Sequence, residues 1–211
     1  MLLFLRVIAA LAFAGSSAAA DSVGACSEPP LLPWVVSRFD VFQPNTNQSS
    51  GTPMRNGSLS INITDPNWLF AGNVPRGKAV FPASTANCTA TWVTDVTELY
   101  GQSLNCTGVT YGNWTFVIRS RNDGWNPAVL SSLSIELTRI YYVRLPGTQA
   151  KKAFEASHMF KQETDLERTE DENGGFWLRL GDTKSINVTQ TLYECSGTCQ
   201  NFVSNYSRGL M

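Results

Sequence analysis

The chain has 211 residues, a formal net charge of −1 and only 16% charged side chains. That length suits one domain with at most a small appendage. No cluster of lysines and arginines is dense enough to neutralise a phosphate backbone, so nucleic acid is excluded as the expected partner.

The first twenty residues read as a signal peptide rather than as fold. Arg6 supplies the positive start, Val7 to Ala14 the apolar core, and Ala18-Ala19-Ala20 the small-residue cleavage pattern before Asp21. The apolar stretch is too short to cross about 30 Å of hydrocarbon, and no later run approaches that length. The expected product is secreted and extracellular, with no membrane partner after cleavage. It consists of one β domain over residues 21–199 and a polar, flexible tail over 200–211.

Pro29 to Pro33 is a stiff, extended entry. Trp34 to Phe42 reads as the first strand, and its alternation slips between Val36 and Phe39, which predicts a bulge. Residues 43–57 are rich in Asn, Gln, Ser, Gly and Pro and read as an exposed loop. Ser58 to Thr64 alternates cleanly, with Leu59, Ile61 and Ile63 facing inward. Asp65-Pro66-Asn67 ends that strand as a turn. Residues 66–86 read as a long Pro/Gly loop. Two runs then flank a polar loop: Cys88, Ala90 and Trp92 share one parity in the first, and Trp114, Phe116 and Ile118 in the second. After a turn at 121–129, Ser132 to Leu145 is the longest strand, its inward face interrupted by Arg139. Residues 150–170 mix helix-favouring composition with strand alternation and are read as strand. Phe176 to Leu180 and Ile186 to Glu194 are the last strands. Many short strands without a convincing long helix predict an all-β fold, an antiparallel sandwich or barrel.

Eight N-glycosylation sequons are present, at Asn47, Asn56, Asn62, Asn87, Asn105, Asn113, Asn187 and Asn205. That exceeds what the Ser and Thr content gives by chance. Asn62, Asn87, Asn113 and Asn187 lie on the outward parity of predicted strands, as glycan-bearing residues must. Five cysteines remain after the leader: Cys26, Cys88, Cys106, Cys195 and Cys199. In a secreted chain most are expected to be bridged. A Cys88–Cys106 bridge would close a loop of about 19 residues, worth roughly 3 kcal/mol in the chain-entropy model. For the others, Cys26 with Cys195 or Cys199 is favoured. The alternative is a local Cys195–Cys199 loop, with Cys26 linking two chains as a homodimer.

Trp34-Val35-Val36-Ser37-Arg38-Phe39 fits a W-x-[IV]-S-x-F start, preceded by an early Cys26. A strand like Ser58–Thr64 follows, then cysteines like Cys88 and Cys106, then an aromatic-x-Phe strand like Trp114-Thr115-Phe116. This pattern resembles the Alternaria major-allergen family of small secreted fungal proteins, from Cys26 to about Leu137. The chain departs from it in being longer, in its many sequons and in its Tyr193–Cys199 end. The resemblance implies a β-barrel or sandwich, secretion from a fungus, no established enzymatic activity and a role at the host or cell-wall interface. It also implies chain-linking through the early cysteine.

The residues themselves point to little chemistry. His158 is the single histidine, and no nucleophile elbow or metal-ligand spacing accompanies it. No catalytic residue, cofactor or metal site is assigned. Carboxylates for glycoside hydrolysis would come from Asp40, Asp65, Asp95, Glu98, Asp123 and Glu136, read as lying on the outer face or in loops, but no spacing picks out a pair. Trp68 and Trp125 sit in loops among Asn, Asp, Gly and Pro, where an exposed ring can stack on a sugar. The favoured reading is that each covers an open end of the sandwich, and with the ring exposed they are the candidate ligand-binding residues; Trp34, Trp92 and Trp114 are expected in the core. The expected function is therefore non-catalytic, with a protein or cell-wall glycan as partner. A carbohydrate-active enzyme or binding module, and a structural wall glycoprotein, are the alternatives.

Overall fold

The computed structural model describes residues 30–45, 55–119, 130–197 and 199. The leader, Cys26, Asn47, Asp123, Trp125, Asn205 and the 200–211 tail lie outside the described residues.

Among the described residues thirteen strands follow one another: β1 Trp34–Gln43, β2 Gly57–Asp65, β3 Leu69–Val74, β4 Gly77–Phe81, β5 Ser84–Trp92, β6 Ser103–Thr107, β7 Gly112–Arg119, β8 Ser132–Leu145, β9 Thr148–Lys161, β10 Leu166–Glu170, β11 Phe176–Leu180, β12 Ile186–Val188 and β13 Thr191–Ser196. Among the described residues the one helical element is a single 3-10 turn, Val96–Leu99. The large sheet runs β10-β11-β1-β2-β5-β6-β7-β8-β9-β13, with β12 also on β1. All of its strand pairings are antiparallel.

The curl of this sheet is legible in its last segment. β12 pairs with β1 while β13, three residues on, pairs with β9. One short stretch thus joins strands that stand far apart in the sheet order, and the sheet rolls into a barrel. Phe39 of β1 stacks on Phe160 of β9 across the interior, with ring centroids 3.9 Å apart. Trp34 meets Trp114 edge-on at 4.4 Å. Alternation places Leu59, Ile61, Ile63, Trp92, Phe116, Ile118, Leu133, Ile135 and Leu137 inside, all buried.

The predicted all-β class, the strands on either side of the central loop, and the strand reading of 150–170 all hold. The bulge falls between Val36 and Arg38. Four expectations are corrected. Residues 66–86 are not a loop: they carry the β3–β4 hairpin and the start of β5. Leu69, Phe70 and Ala71 are consecutive apolar residues, and a register shift between Phe70 and Gly72 hides their alternation. The hairpin buries Leu69, Phe70 and Phe81. The polar loop between Cys88 and Trp114 contains β6, too short to show a period. Ile186 to Glu194 is two strands, because buried Gln190 donates its amide to the Leu32 carbonyl at 2.8 Å and diverts the chain.

The fourth correction concerns the cysteines. Cys88–Cys106 forms as expected. The favoured pairing of Cys26 with Cys195 or Cys199 is replaced by Cys195–Cys199, with Cα atoms 5.6 Å apart. Gly197, at φ 82°, turns the chain back at the end of β13.

Candidate functional site

One end of the barrel gathers the start of β1, the end of β2, the starts of β5, β7 and β9 and the later half of β8, beneath the β3–β4 hairpin. Its foundation is polar and buried. Asp65 was expected to be exposed as a turn former. It is 1% exposed and points inward. Its carboxylate accepts from Trp34 Nε1 at 2.9 Å, from the Tyr141 hydroxyl, from Asn67 N at 2.9 Å and from Asn67 Nδ2 at 2.6 Å. Burial, and next the adjacent Asp65 charge, push the Tyr141 phenol far above its ordinary pKa, so it stays a donor.

Arg139, which interrupts the apolar face of β8, is also inside and fully buried. Its guanidinium lies 4.1 Å from the Tyr141 ring centre and 5.7 Å from that of Trp114. Burial lowers its pKa, an effect opposed by Tyr141 and Asp65. Lys152, opposite Tyr141 on β9, is fully buried as well. Sequence parity placed Arg139 inward; the fold explains it, as a buried cation that interacts with the Asp65 carboxylate.

The cluster holds an aromatic rim in place. Asn67 accepts from Leu32 N at 2.9 Å and donates to Leu32 O at 2.8 Å, so it clamps the entry segment to the end of β2. Leu32 and Trp68 then project, 48% and 53% exposed. On the opposite side Arg139 Nη2 donates to Thr110 O at 2.8 Å and anchors the turn into β7. There Tyr111 adopts φ 57°, a left-handed conformation costing a bulky residue about 1–2 kcal/mol. Gly112 follows at φ 115°, where a Cβ would lie 1.9 Å from the Ile140 carbonyl oxygen. Tyr111 and its neighbour Tyr142 are 48% and 42% exposed, and Tyr142 N donates to Tyr111 O at 3.3 Å. An exposed aromatic held in a strained backbone is a mark of a site.

Trp68 lies in a loop, as read from the sequence, but the favoured reading of it as a cover over the barrel end is corrected: its ring is 53% exposed. Leu69 and Phe81 provide the plug. Leu32, Tyr111 and Tyr142 were missed. Tyr142 had a signal, since it lies on the outward parity of β8; Tyr111 and Leu32 had none. Trp34, Trp92 and Trp114 are core, as expected.

The other candidates are dispersed. Asp40 pairs with Arg38, Glu136 with Arg119 at 2.7 Å, and His158 lies 3.6 Å from Asp165. Asp95 caps the 3-10 turn. Glu98 accepts from Thr94 Oγ1 and from the amides of Thr94, Val93 and Asp95, which lowers its pKa to about 2. Its folded pKa lies below the unfolded value of 4.5, so its support of the turn is complete above that value and is lost as pH falls through about 2. The Thr94 amide proton shift is expected to titrate with a midpoint near 2; a midpoint near 4.5 would show that Glu98 does not hold the turn. Among the described residues no three His, Cys, Asp or Glu side chains are placed to hold a metal.

Of the described sequons, Asn56, Asn87, Asn105, Asn113 and Asn187 are exposed, and Asn62 is half-buried. Asn62 of β2 stands directly opposite Asn87 of β5. With Asn105 on β6 and Asn113 on β7, they mark four adjacent strands of one outer wall.

No family model matches the chain, and no curated protein and no solved structure is detectably similar to it. The fold therefore defines a class alone: an all-β antiparallel barrel stapled by disulfides. Among the described residues no helix is long and apolar enough to cross a membrane. That and the two disulfides are compatible with an extracellular protein.

Proposed function

We propose that this chain is a secreted, N-glycosylated fungal protein that acts without catalysis, binding a partner at the cell surface or host interface through the aromatic rim. The observation that carries this reading is Trp68, an indole more than half exposed on a loop braced by Asp65 and Asn67. A rigid, exposed ring loses little entropy on binding, and it suits either a sugar face or an apolar protein pocket. The sequons on β2, β5, β6 and β7 would cover one wall and leave the rim end open. The resemblance of the Trp34–Phe39 start to the Alternaria major-allergen family supports the same reading. With the other four cysteines paired, Cys26 has no cysteine partner left within the chain and is the residue that would link two copies as a homodimer.

The test is retention of the mature protein on fungal walls and on isolated chitin, β-glucan and cellulose, with Trp68→Ala and Trp125→Ala alongside. Loss of one aromatic stack, about 1.4 kcal/mol, corresponds to about tenfold weaker retention for Trp68→Ala. Unchanged retention of Trp68→Ala would remove the rim from the binding surface. Retention on walls but on none of the polysaccharides would direct the search to a protein partner. Release from walls only by a reducing agent would favour the structural wall glycoprotein and Cys26.

A carbohydrate-active enzyme is the second reading. Glu136 and Glu155 line one polar hollow with Thr138 and Ser157. In the β8–β9 register they are diagonal neighbours, roughly 7–8 Å apart at the backbone. Sugar release from a retained polysaccharide, abolished by Glu155→Gln, would select this reading.

A further inference from the structure

Two of the sequons have a cysteine as their middle residue, Asn87-Cys88-Thr89 and Asn105-Cys106-Thr107, and these two cysteines are bonded to each other. The other described sequons have Gly57, Ile63, Trp114 and Val188 in that position. β5 and β6 are antiparallel, with Cys88 opposite Cys106 and Asn87 opposite Thr107. Thr107 Oγ1 donates to the Asn87 carbonyl at 3.3 Å. The acceptor asparagine of one triplet therefore lies beside the hydroxyl residue of the other.

Both asparagines are exposed in the finished barrel, so a glycan at either is compatible with the fold. Attaching one is a different matter. A transferase must take the Asn amide and the Thr hydroxyl of one triplet into its own site, on a segment free to bend. In the folded chain β5 is held between β2 and β6, and β6 between β5 and β7. The bridge then ties the centres of the two triplets, with Cα atoms 4.1 Å apart. Once it has formed, each triplet masks the other.

We propose that formation of the Cys88–Cys106 disulfide competes with N-glycosylation of its own two sequons, and that Asn105 is the site at which the disulfide prevails. The inference rests on the reading of the chain as a secreted glycoprotein. In glycosylation, Asn Nδ2 displaces a lipid pyrophosphate from the C1 carbon of a lipid-linked oligosaccharide and loses one proton. In the competing step two thiols lose two protons and pass two electrons to a disulfide oxidoreductase of the secretory compartment.

Order of entry separates the two sites. Cys106 follows Cys88 by 18 positions. At about 5–20 residues per second that gives Asn87 a lead of roughly 1–4 s before its cysteine can be bridged. Disulfides form in seconds at the fastest, so Asn87 is modified first. Asn105 arrives with Cys88 already waiting and with Cys106 as its next residue. The glycoform at Asn105 therefore varies with the oxidising strength of the compartment, whereas those at Asn56, Asn113 and Asn187 do not.

The experiment is site-resolved occupancy of the full chain made in a yeast secretory host. It is measured by mass spectrometry after glycosidase release in heavy-oxygen water, on the total cell-associated and secreted pool. Cys88→Ser leaves the Asn105-Cys106-Thr107 triplet intact but removes its cross-link. A dithiothreitol pulse during synthesis leaves the whole sequence intact, which guards against a variant that fails to fold. The unmodified fraction at Asn105 is expected to fall at least twofold in both arms, with Asn56, Asn113 and Asn187 unchanged. Full occupancy of Asn105 in the untreated wild type would overturn the proposal. So would an Asn105 occupancy that neither arm moves, or a rise shared by every sequon. Glycan absent from all the sequons of the wild type would refute the secreted-glycoprotein reading itself.

Discussion

Asp65→Asn is expected to lower the unfolding free energy by about 3–5 kcal/mol, the usual cost of removing one partner from a buried charged network. The carboxylate accepts four hydrogen bonds, from Trp34, Tyr141 and twice from Asn67. It is also the buried anion that interacts with the buried Arg139 guanidinium. The amide keeps the volume but offers one acceptor oxygen and turns two N–H groups towards donors. Two or more of the four donors are then buried without a partner, each costing about 1–3 kcal/mol. A domain of this size loses about 2–4 °C in Tm per kcal/mol, so a fall of roughly 6–20 °C is expected. Asp40→Asn is the control: its partner Arg38 is largely exposed, and the change should stay within about 0.5 kcal/mol. Urea denaturation of both variants checks this. A loss below about 1 kcal/mol for Asp65→Asn would show that the cluster is not what holds the rim end together.

Removing the Cys88–Cys106 bridge, as Cys88→Ala with Cys106→Ala, should cost about 3 kcal/mol from the freed chain entropy of the unfolded state. Cys88 is fully buried in the core, so lost packing adds to that figure. The same relation gives about 2 kcal/mol for the shorter Cys195–Cys199 loop, which closes over four positions at the exposed end of β13. The bridges should therefore rank in that order in denaturant midpoints of the two double variants. Equal or reversed costs would mean that the β5–β6 clip constrains the unfolded chain less than its loop length implies.

Two features underlie the legibility of this barrel. Its long strands alternate over many residues, as in β2 and β8, and parity alone then assigns the inward side chains. Its bulge in β1 is announced by a slip in the same alternation. Short strands escape this treatment. β6 has five residues and β12 three, too few for a period to rise above composition. The β3–β4 hairpin is hidden by its own register shift, which places apolar residues side by side.

The rim shows the same division. The loop position of Trp68 was legible because it follows the Asp65-Pro66-Asn67 turn, but its exposure was not, since a cover over the barrel end was the favoured reading. Tyr111 was not, since its exposure depends on the anchoring of Thr110 by an arginine 29 positions later in the chain. Asp65 was misplaced for a related reason. In sequence it is a turn former before proline, and four donors from distant or neighbouring residues convert it into a buried acceptor.

By itself, then, the chain's sequence determined the all-β class, the parity of the core, the Cys88–Cys106 pair and the outward placement of Asn87, Asn113 and Asn187. These follow from local alternation and from motif spacing, which need no knowledge of the partner strand. Only the tertiary structure decided which strands meet, that Cys195 bonds Cys199, and that Asp65, Tyr141 and Arg139 share one buried cluster. Those are long-range choices, in which the free energy of an apolar or charged group depends on neighbours that the curl of the sheet brings to it.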